Sequence, residues 1–236
     1  MSFGRPHHQK IAAVLASLDA AFLRSHHCYF GGGTAIALRY GEFRESVDID
    51  FLVSDLQAYR SLRSEIREMG MGVLFSNSDA VCWSDVRADQ YGIRTRVGSA
   101  TPDIKFEIVL EARIELAESS SADQVLGVST LTRTDLAAEK LLANSDRWAD
   151  YSVHRRDLID LAMMQLGELE FLTALSKAEG AYGSAVVSDL LKAITRIESV
   201  DGELQRCCVA MRIDTHLAKL WQCIRQLRKF YLQRGG

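Results

Sequence analysis

The sequence predicts an α+β fold: a mixed β-sheet with flanking helices, followed by a C-terminal helical domain. Two segments carry the strand signal, VDIDFLV at residues 47–53 and IKFEIVLEARIEL from Ile104, where apolar and polar residues alternate with a period of two. Beyond about residue 119 the period changes to 3.6. Strands first and helices afterwards argue for an α+β domain carrying a helical one, with 1–125 assigned to the first and 126–236 to the second.

Taken in order, residues 8–26 place Ile11, Val14, Leu15, Leu18 and Phe22 at helical spacing, so one amphipathic helix is expected there. A short apolar step at 28–30 runs into three glycines. AIALRY after Thr34 is rich in helix formers and closes at Gly41, a C-cap candidate. The strand at 47–53 turns Ile49 to the core, and Ser54 and Asp55 can cap a helix over 56–69 that ends at Gly70. MGVLF at 71–75 reads as a strand, as do 80–86 and 92–97. The strongest alternation begins at Ile104. Four helices then follow, in TRTDLAAEKLLANSDRW, RRDLIDLAMMQLGELEFLTALSKA, SDLLKAITRIES and DTHLAKLWQCIRQLRKFYLQ. No internal repeat is present.

Composition excludes several classes. With 236 residues, 47% hydrophobic and 25% charged, the chain can bury a real core and is not disordered as a whole. Two prolines and no serine–glycine run mean that domain boundaries are short loops. No segment approaches the roughly 20 apolar residues of a membrane span, and the first ten residues are polar, so a cytoplasmic enzyme with no membrane partner is expected. Five scattered cysteines (Cys28, Cys82, Cys207, Cys208, Cys223) fit neither a disulfide framework nor a zinc spacing, and read as reduced, mostly buried thiols. The histidines form no metal set.

A formal charge of −3 gives no global attraction to nucleic acid. Any such contact requires a local patch, either Arg147, His154, Arg155 and Arg156 or Arg225, Arg228, Lys229 and Arg234; a solvated helix face accounts for each equally well.

The chemistry concentrates in FGGGTAIALRYGEFRESVDIDF, residues 30–51. Glycines before a helix let backbone N–H groups at 31–34 approach and cradle an oligophosphate, with positive potential from the helix N-terminus; Thr34 can add a hydroxyl. Alone, such glycines more often serve a plain turn. Asp48 and Asp50, at i and i+2 of a strand, share a face about 7 Å apart, which suits one or two Mg²⁺ (or Mn²⁺) ions shared with substrate phosphates. An isolated D-x-D is also compatible with an exposed strand edge. In the strand from Ile104 the apolar face leaves Lys105 and Glu107 available to a cleft, or simply to solvent.

This stretch resembles the signature of the AbiEii/AbiGii toxin family of nucleotidyltransferases, itself similar to polymerase-beta-type enzymes. The resemblance extends to IKFEI at 104–108 and AAEKLLANSDRW…RRDLIDL at 137–161, covering most of residues 29–161. It implies a nucleotidyltransferase-type sheet, an NTP substrate and a metal held by Asp48, Asp50 and a third acid, for which Glu107 is the candidate. It implies phosphate contacts by Gly32, Gly33, Thr34, Lys105 and Lys140, with Arg44 and Ser46 touching the nucleotide or bracing Asp48. Lys140 also reads as a helix lysine paired with a nearby acid. Asp157 and Asp160, at i and i+3, match an R-D-x-x-D element, in which Asp157 orients Lys140 or serves as general base.

The expected activity is transfer of NMP from an NTP to a hydroxyl with release of pyrophosphate. The resemblance implies an RNA acceptor such as a tRNA 3′ end and an antitoxin partner. The alternatives are a small-molecule or protein acceptor, or a non-catalytic nucleotide-binding protein on the same fold.

Overall fold

The computed structural model describes residues 3–233; Arg234 of the second basic patch lies outside them. The chain forms two compact units. The first comprises the chain up to Glu42 together with Ser46–Thr132, and the second Phe43–Glu45 together with the chain from Arg133 on.

The first unit opens with α1 (Pro6–Ser17) and α2 (Ala20–Ser25), then β1 (Tyr29–Gly31), α3 (Gly32–Arg39), β2 (Ile49–Val53) and α4 (Leu56–Met69). Next come β3 (Cys82–Trp83), β4 (Arg87–Ala88), β5 (Gly92–Gly98), β6 (Ile104–Leu110) and a small hairpin of β7 (Gln124–Val125) and β8 (Val128–Ser129). Among the described residues the main sheet runs β1-β2-β6-β5-β3, with β4 also on β5. Only β2 and β6 pair in parallel, so the sheet is mixed, as expected. Alternation sorts its two faces. Phe30, Phe51 and Phe106 are fully buried and touch in series at ring-centre distances of 5.5 and 5.6 Å. Burying each contributes about 1.5–3 kcal/mol. The alternate residues, Asp50 and Glu107, therefore stand on the opposite face of the same strands.

Several expectations are corrected. The single helix over 8–26 is two, because Leu18 turns extended, the Asp19 N–H donates to Leu74 O at 2.8 Å, and the Asp19 carboxylate caps α2 by accepting from Phe22 N at 2.9 Å. MGVLF is a 3₁₀ turn over Met71–Leu74: Gly70, at φ 83°, ends α4 and redirects the chain, while Met71 and Leu74 stay buried. A short apolar run has no period of its own to separate these states. The strand at 80–86 shrinks to β3. The strand from Ile104 stops at Leu110, where Glu111 Oε1 accepts the Arg113 N–H at 2.6 Å and a local turn replaces the ladder. Asp55 caps α4 as expected, accepting from Gln57 N and Ala58 N.

The second unit is helical: α5 (Arg133–Arg147), α6 (Arg156–Met163), α7 (Glu168–Tyr182), α8 (Ala185–Ser199), α9 (Glu203–Ala210) and α10 (Leu217–Gln233). Helix α5 packs against α6, α7 and α8, and α10 against the same three. Leu136, Leu141, Leu158, Phe171, Leu190, Ile194, Leu220 and Ile224 fill the core. The run from Arg155 through Ala178, read as one helix, breaks at Gln165 (φ 46°), and Glu170 Oε2 accepts the Gly167 N–H at 2.8 Å to start α7. Helix α9 was not anticipated; its eight residues ELQRCCVA show too little apolar periodicity. Of the cysteines only Cys28 and Cys207 are buried, and all five are free thiols. Among the described residues no helix is long and apolar enough to cross a membrane.

Candidate active site

The sheet register assembles the acidic site. Asp50 on β2 lies opposite Gly31 on β1 and beside Glu107 on β6, and Glu107 in turn pairs with Arg94 on β5. These four positions form one row across the strands. Asp48 sits in the extended segment just before β2, not within it, and is half-buried like Asp50.

Helix α3 begins at Gly32, so Gly32, Gly33 and Thr34 form its first turn, where N–H groups point outward from the helix. Gly32 must be glycine for two reasons: its φ is +67°, and a Cβ there would lie 2.5 Å from Asp50 Oδ2. The glycine loop thus packs directly against the carboxylate. Thr34 is fully buried and donates to Ser46 Oγ at 2.8 Å, so its hydroxyl braces the loop before Asp48.

That loop is held from the N-terminus by two histidines. Buried His8 accepts the Ser46 N–H on Nε2 at 3.1 Å, which leaves Nδ1 to donate to Glu42 Oε1 at 2.7 Å. His7 Nε2 lies 3.0 Å from Val47 O. Burial opposes ionisation of the Glu42 carboxyl, but the Gly4 N–H and His8 outweigh it and hold it below the usual range. The sequence offered no signal for this role beyond the adjacency of the two histidines.

Glu107 does not stand free. Lys105 Nζ bonds its Oε2, and Arg94 Nε lies 3.2 Å from its Oε1. Burial lowers the affinity of Lys105 for its proton, yet Glu107, Asp48 and Asp50 more than offset this and raise its pKa. Lys105 therefore lies within the field of all three acids. Arg94 was missed by sequence reasoning because it shares its face of β5 with the exposed Arg96 and reads as solvent-facing.

Lys140, Asp157 and Arg44 come together in the second unit. Lys140 Nζ contacts Asp157 Oδ1 at 3.0 Å and Asp160 Oδ2 at 2.8 Å. Arg44, carried by the segment Phe43–Glu45, makes a bidentate pair with Asp160 at 2.6 and 2.8 Å. Arg147 does the same with Asp157, again at 2.6 and 2.8 Å. Burial opposes ionisation of both aspartates, but the facing cations prevail: Lys140 and Arg147 hold Asp157, and Arg44 and Lys140 hold Asp160, below the ordinary carboxylate range. Three cations, Arg44, Lys140 and Arg147, thus pair with these two carboxylates. The sequence places Arg147 only in a candidate basic patch and Asp160 only on a helix face shared with Asp157; the structure instead pairs Arg147 with Asp157 and Asp160 with Arg44 and Lys140.

Among the described residues no three His, Cys, Asp or Glu side chains converge as a metal cluster. Asp50 and its sheet neighbour Glu107 offer carboxylate oxygens, the chemistry that a hard cation such as Mg²⁺ takes, and the missing side chain at Gly32 keeps a Cβ off Asp50 Oδ2. The residues present fit such an ion.

A family model described as the nucleotidyl transferase AbiEii toxin of a type IV toxin–antitoxin system matches residues 13–206. The chain belongs to the AbiEii nucleotidyltransferase toxin family. It is accordingly a nucleotidyltransferase, and the AbiEii match spans both the Asp48/Asp50 segment and the Lys140 network. His8, which braces the loop, lies ahead of the matched region. A search of the curated proteins found no match. Among solved structures the chain is similar to JHP933 from Helicobacter pylori, at 18% identity over 99% of this chain and 97% of that one, TM-score 0.47. It is also similar to MenT4, a nucleotidyltransferase toxin from Mycobacterium tuberculosis, at 17% identity over 95% of each chain, TM-score 0.44.

Proposed function

We propose that the protein moves NMP from an NTP to the 3′ hydroxyl of an RNA, with tRNA as the acceptor class, as the toxin of a toxin–antitoxin pair. The observation that carries this is the row Gly31, Asp50, Glu107 with Gly32 packed on Asp50. It sets the glycine start of α3 against acidic oxygens, which supports reading the two as the halves of an NTP site.

In this reading Asp48 and Asp50 hold Mg²⁺ (Mn²⁺ offers the same coordination), and Glu107 supports them while tied to Lys105 and Arg94. The bound metal supplies charge stabilisation at the phosphate oxygens. Gly32 and Gly33 offer backbone N–H groups to the phosphates, and Lys105, bonded to Glu107, adds a cation. The acceptor oxygen bonds to the α-phosphorus, the α–β phosphoanhydride bond breaks with its electron pair leaving on pyrophosphate, and the hydroxyl proton passes to a base. Asp157 suits that base role poorly. Both its oxygens already accept from Lys140 and Arg147, and those cations keep it ionised and weakly basic. Orientation of Lys140 is the role its geometry supports. Arg44, bidentate to Asp160, likewise supports the network, and Ser46 and Thr34 brace Asp48.

The test is incubation of purified protein with Mg²⁺, each α-³²P-labelled NTP in turn and total bacterial RNA, beside Asp48→Ala/Asp50→Ala. Label in a tRNA-sized band with wild type alone is the expected result. Label in protein or in a small-molecule fraction instead would replace the acceptor, and wild-type label that persists in the double variant would remove the carboxylates from the chemistry.

A further inference from the structure

Apart from the carboxylate site, the helical unit carries a groove of about 580 Å³ lined by Trp148, Tyr151, Arg155, Lys192, Thr195 and Arg196 among others. Aromatic and cationic groups interleave in it. The guanidinium carbons of Arg155 and Arg196 each lie 5.1 Å from the centre of the Tyr151 ring, and Lys192 Nζ lies 5.3 Å from that of Trp148. Tyr151 is 62% exposed, whereas Arg155 is only 4% exposed.

The local backbone builds this arrangement. His154 and Arg155 are consecutive non-glycine residues in the left-handed region, at φ 50° and 54°. Such conformations persist only where the surroundings hold them. Here the Arg155 guanidinium donates to Trp148 O and pairs with Glu203 Oε1 at 3.4 Å. Even so, the buried Nε atoms of Arg155 and Arg196 have no hydrogen-bond partner among the described residues. Lys192 is shared with Asp189 at 2.9 Å. Of the three cations, Arg196 alone has no ion pair among the described residues.

One cation without an ion pair of its own, its nearest acid Glu203 already paired with Arg155 and Arg206, beside two partly exposed rings is too little charge for a polyanionic surface. It matches a phosphate together with the flat face of a base, which a single strand presents and a duplex hides. An acidic peptide would use the cations and leave the rings without a purpose. We propose that this groove binds single-stranded RNA, with bases against the Trp148 and Tyr151 rings and phosphate at Arg196 and Lys192. The proposal rests on the reading that the acceptor is RNA.

The test is fluorescence anisotropy of a labelled single-stranded RNA 12-mer, and of the blunt duplex of the same sequence, with the full chain. The variants are Tyr151→Ala, Lys192→Ala and Asp50→Ala; the first two sites are exposed and their truncation spares the core. The single strand should bind more tightly than the duplex. Tyr151→Ala should weaken it about tenfold, the order of one base–aromatic stack. Lys192→Ala should reduce the slope of log affinity against log salt by about 0.7, one phosphate contact. Asp50→Ala should bind as wild type while transferring no label. Wild-type affinity in Tyr151→Ala, equal binding of duplex and single strand, or displacement of the RNA by poly-glutamate as readily as by unlabelled RNA would each overturn the groove assignment. Absence of label transfer from the wild type to RNA would instead count against the acceptor reading, independently of the anisotropy.

Discussion

At Gly32 the backbone sits at φ +67° and a Cβ would come within 2.5 Å of Asp50 Oδ2, whereas at Gly41 φ is +83° and nothing lies within 4 Å. Both glycines relieve a left-handed backbone, so alanine at either costs on the order of 1 kcal/mol from that source. Only at Gly32 must the added methyl also push aside a carboxylate, that of Asp50, proposed above to hold the metal. Gly32→Ala is therefore expected to lower NMP transfer by about 10²-fold, the scale of a misplaced reacting group. Gly41→Ala should lower thermal stability by a similar amount and leave turnover near wild type. Equal activities in the two variants would show that the Gly32 contact has no catalytic consequence. The glycine turn and the acid on β2 were legible in the sequence as candidates, because glycines before a helix and an acid in an alternating strand are local patterns. The bracing by His8 was not: its partners Glu42 and Ser46 are 34 and 38 residues away.

Helices α5 and α6 are joined by charges rather than by apolar packing alone. Lys140 and Arg147 from α5 meet Asp157 and Asp160 from α6, and Arg44 closes the set. Removing one member leaves buried charge uncompensated, so Asp160→Ala should destabilise the fold by about 3–5 kcal/mol, read as a lower urea midpoint of the helical signal. The pH dependence has a definite sign. Asp157 and Asp160 both have folded-state pKa values lowered from the ordinary value. Their contribution is thus present in full above the unfolded pKa of about 4, and is lost as pH falls below it toward the folded values. Urea midpoints should fall on acidification below about pH 4 in wild type, and less steeply in Asp160→Ala; an identical pH slope in both would refute the network's role. The spacing of Asp157 and Asp160 announced a shared helix face. That the face meets Lys140 and Arg147 follows from the packing of α5 on α6, and that Arg44 joins follows from a segment 116 residues away.

For the protein as a whole, membership of a toxin family makes growth the decisive readout. Induced expression should arrest bacterial growth, and Asp48→Ala should abolish the arrest while the variant accumulates as folded protein. Persistent arrest in that variant would separate toxicity from the carboxylates. Hydrophobic periodicity and the glycine turn were readable directly, since each depends on residues a few positions apart, whereas the strand expected from Val47 begins only at Ile49 and a hairpin over 124–129 precedes the helices expected from about residue 119. The local patterns were sufficient to predict an α+β fold with a helical C-terminal part, and the resemblance to the AbiEii/AbiGii family added the nucleotidyltransferase reading. Folding in three dimensions decided the breaks at Asp19 and Gln165, the 3₁₀ turn after Gly70 and the short β3, because turn geometry and long-range hydrogen bonds override local propensity there. It also decided which charges meet: Glu107 reaches Lys105 and Arg94, Lys140 reaches two aspartates, and the Trp148–Tyr151 groove gathers cations from α8. A sequence states which residues share a face of their own element; which face of another element they touch is settled only by the register of the sheet and the packing of the helices.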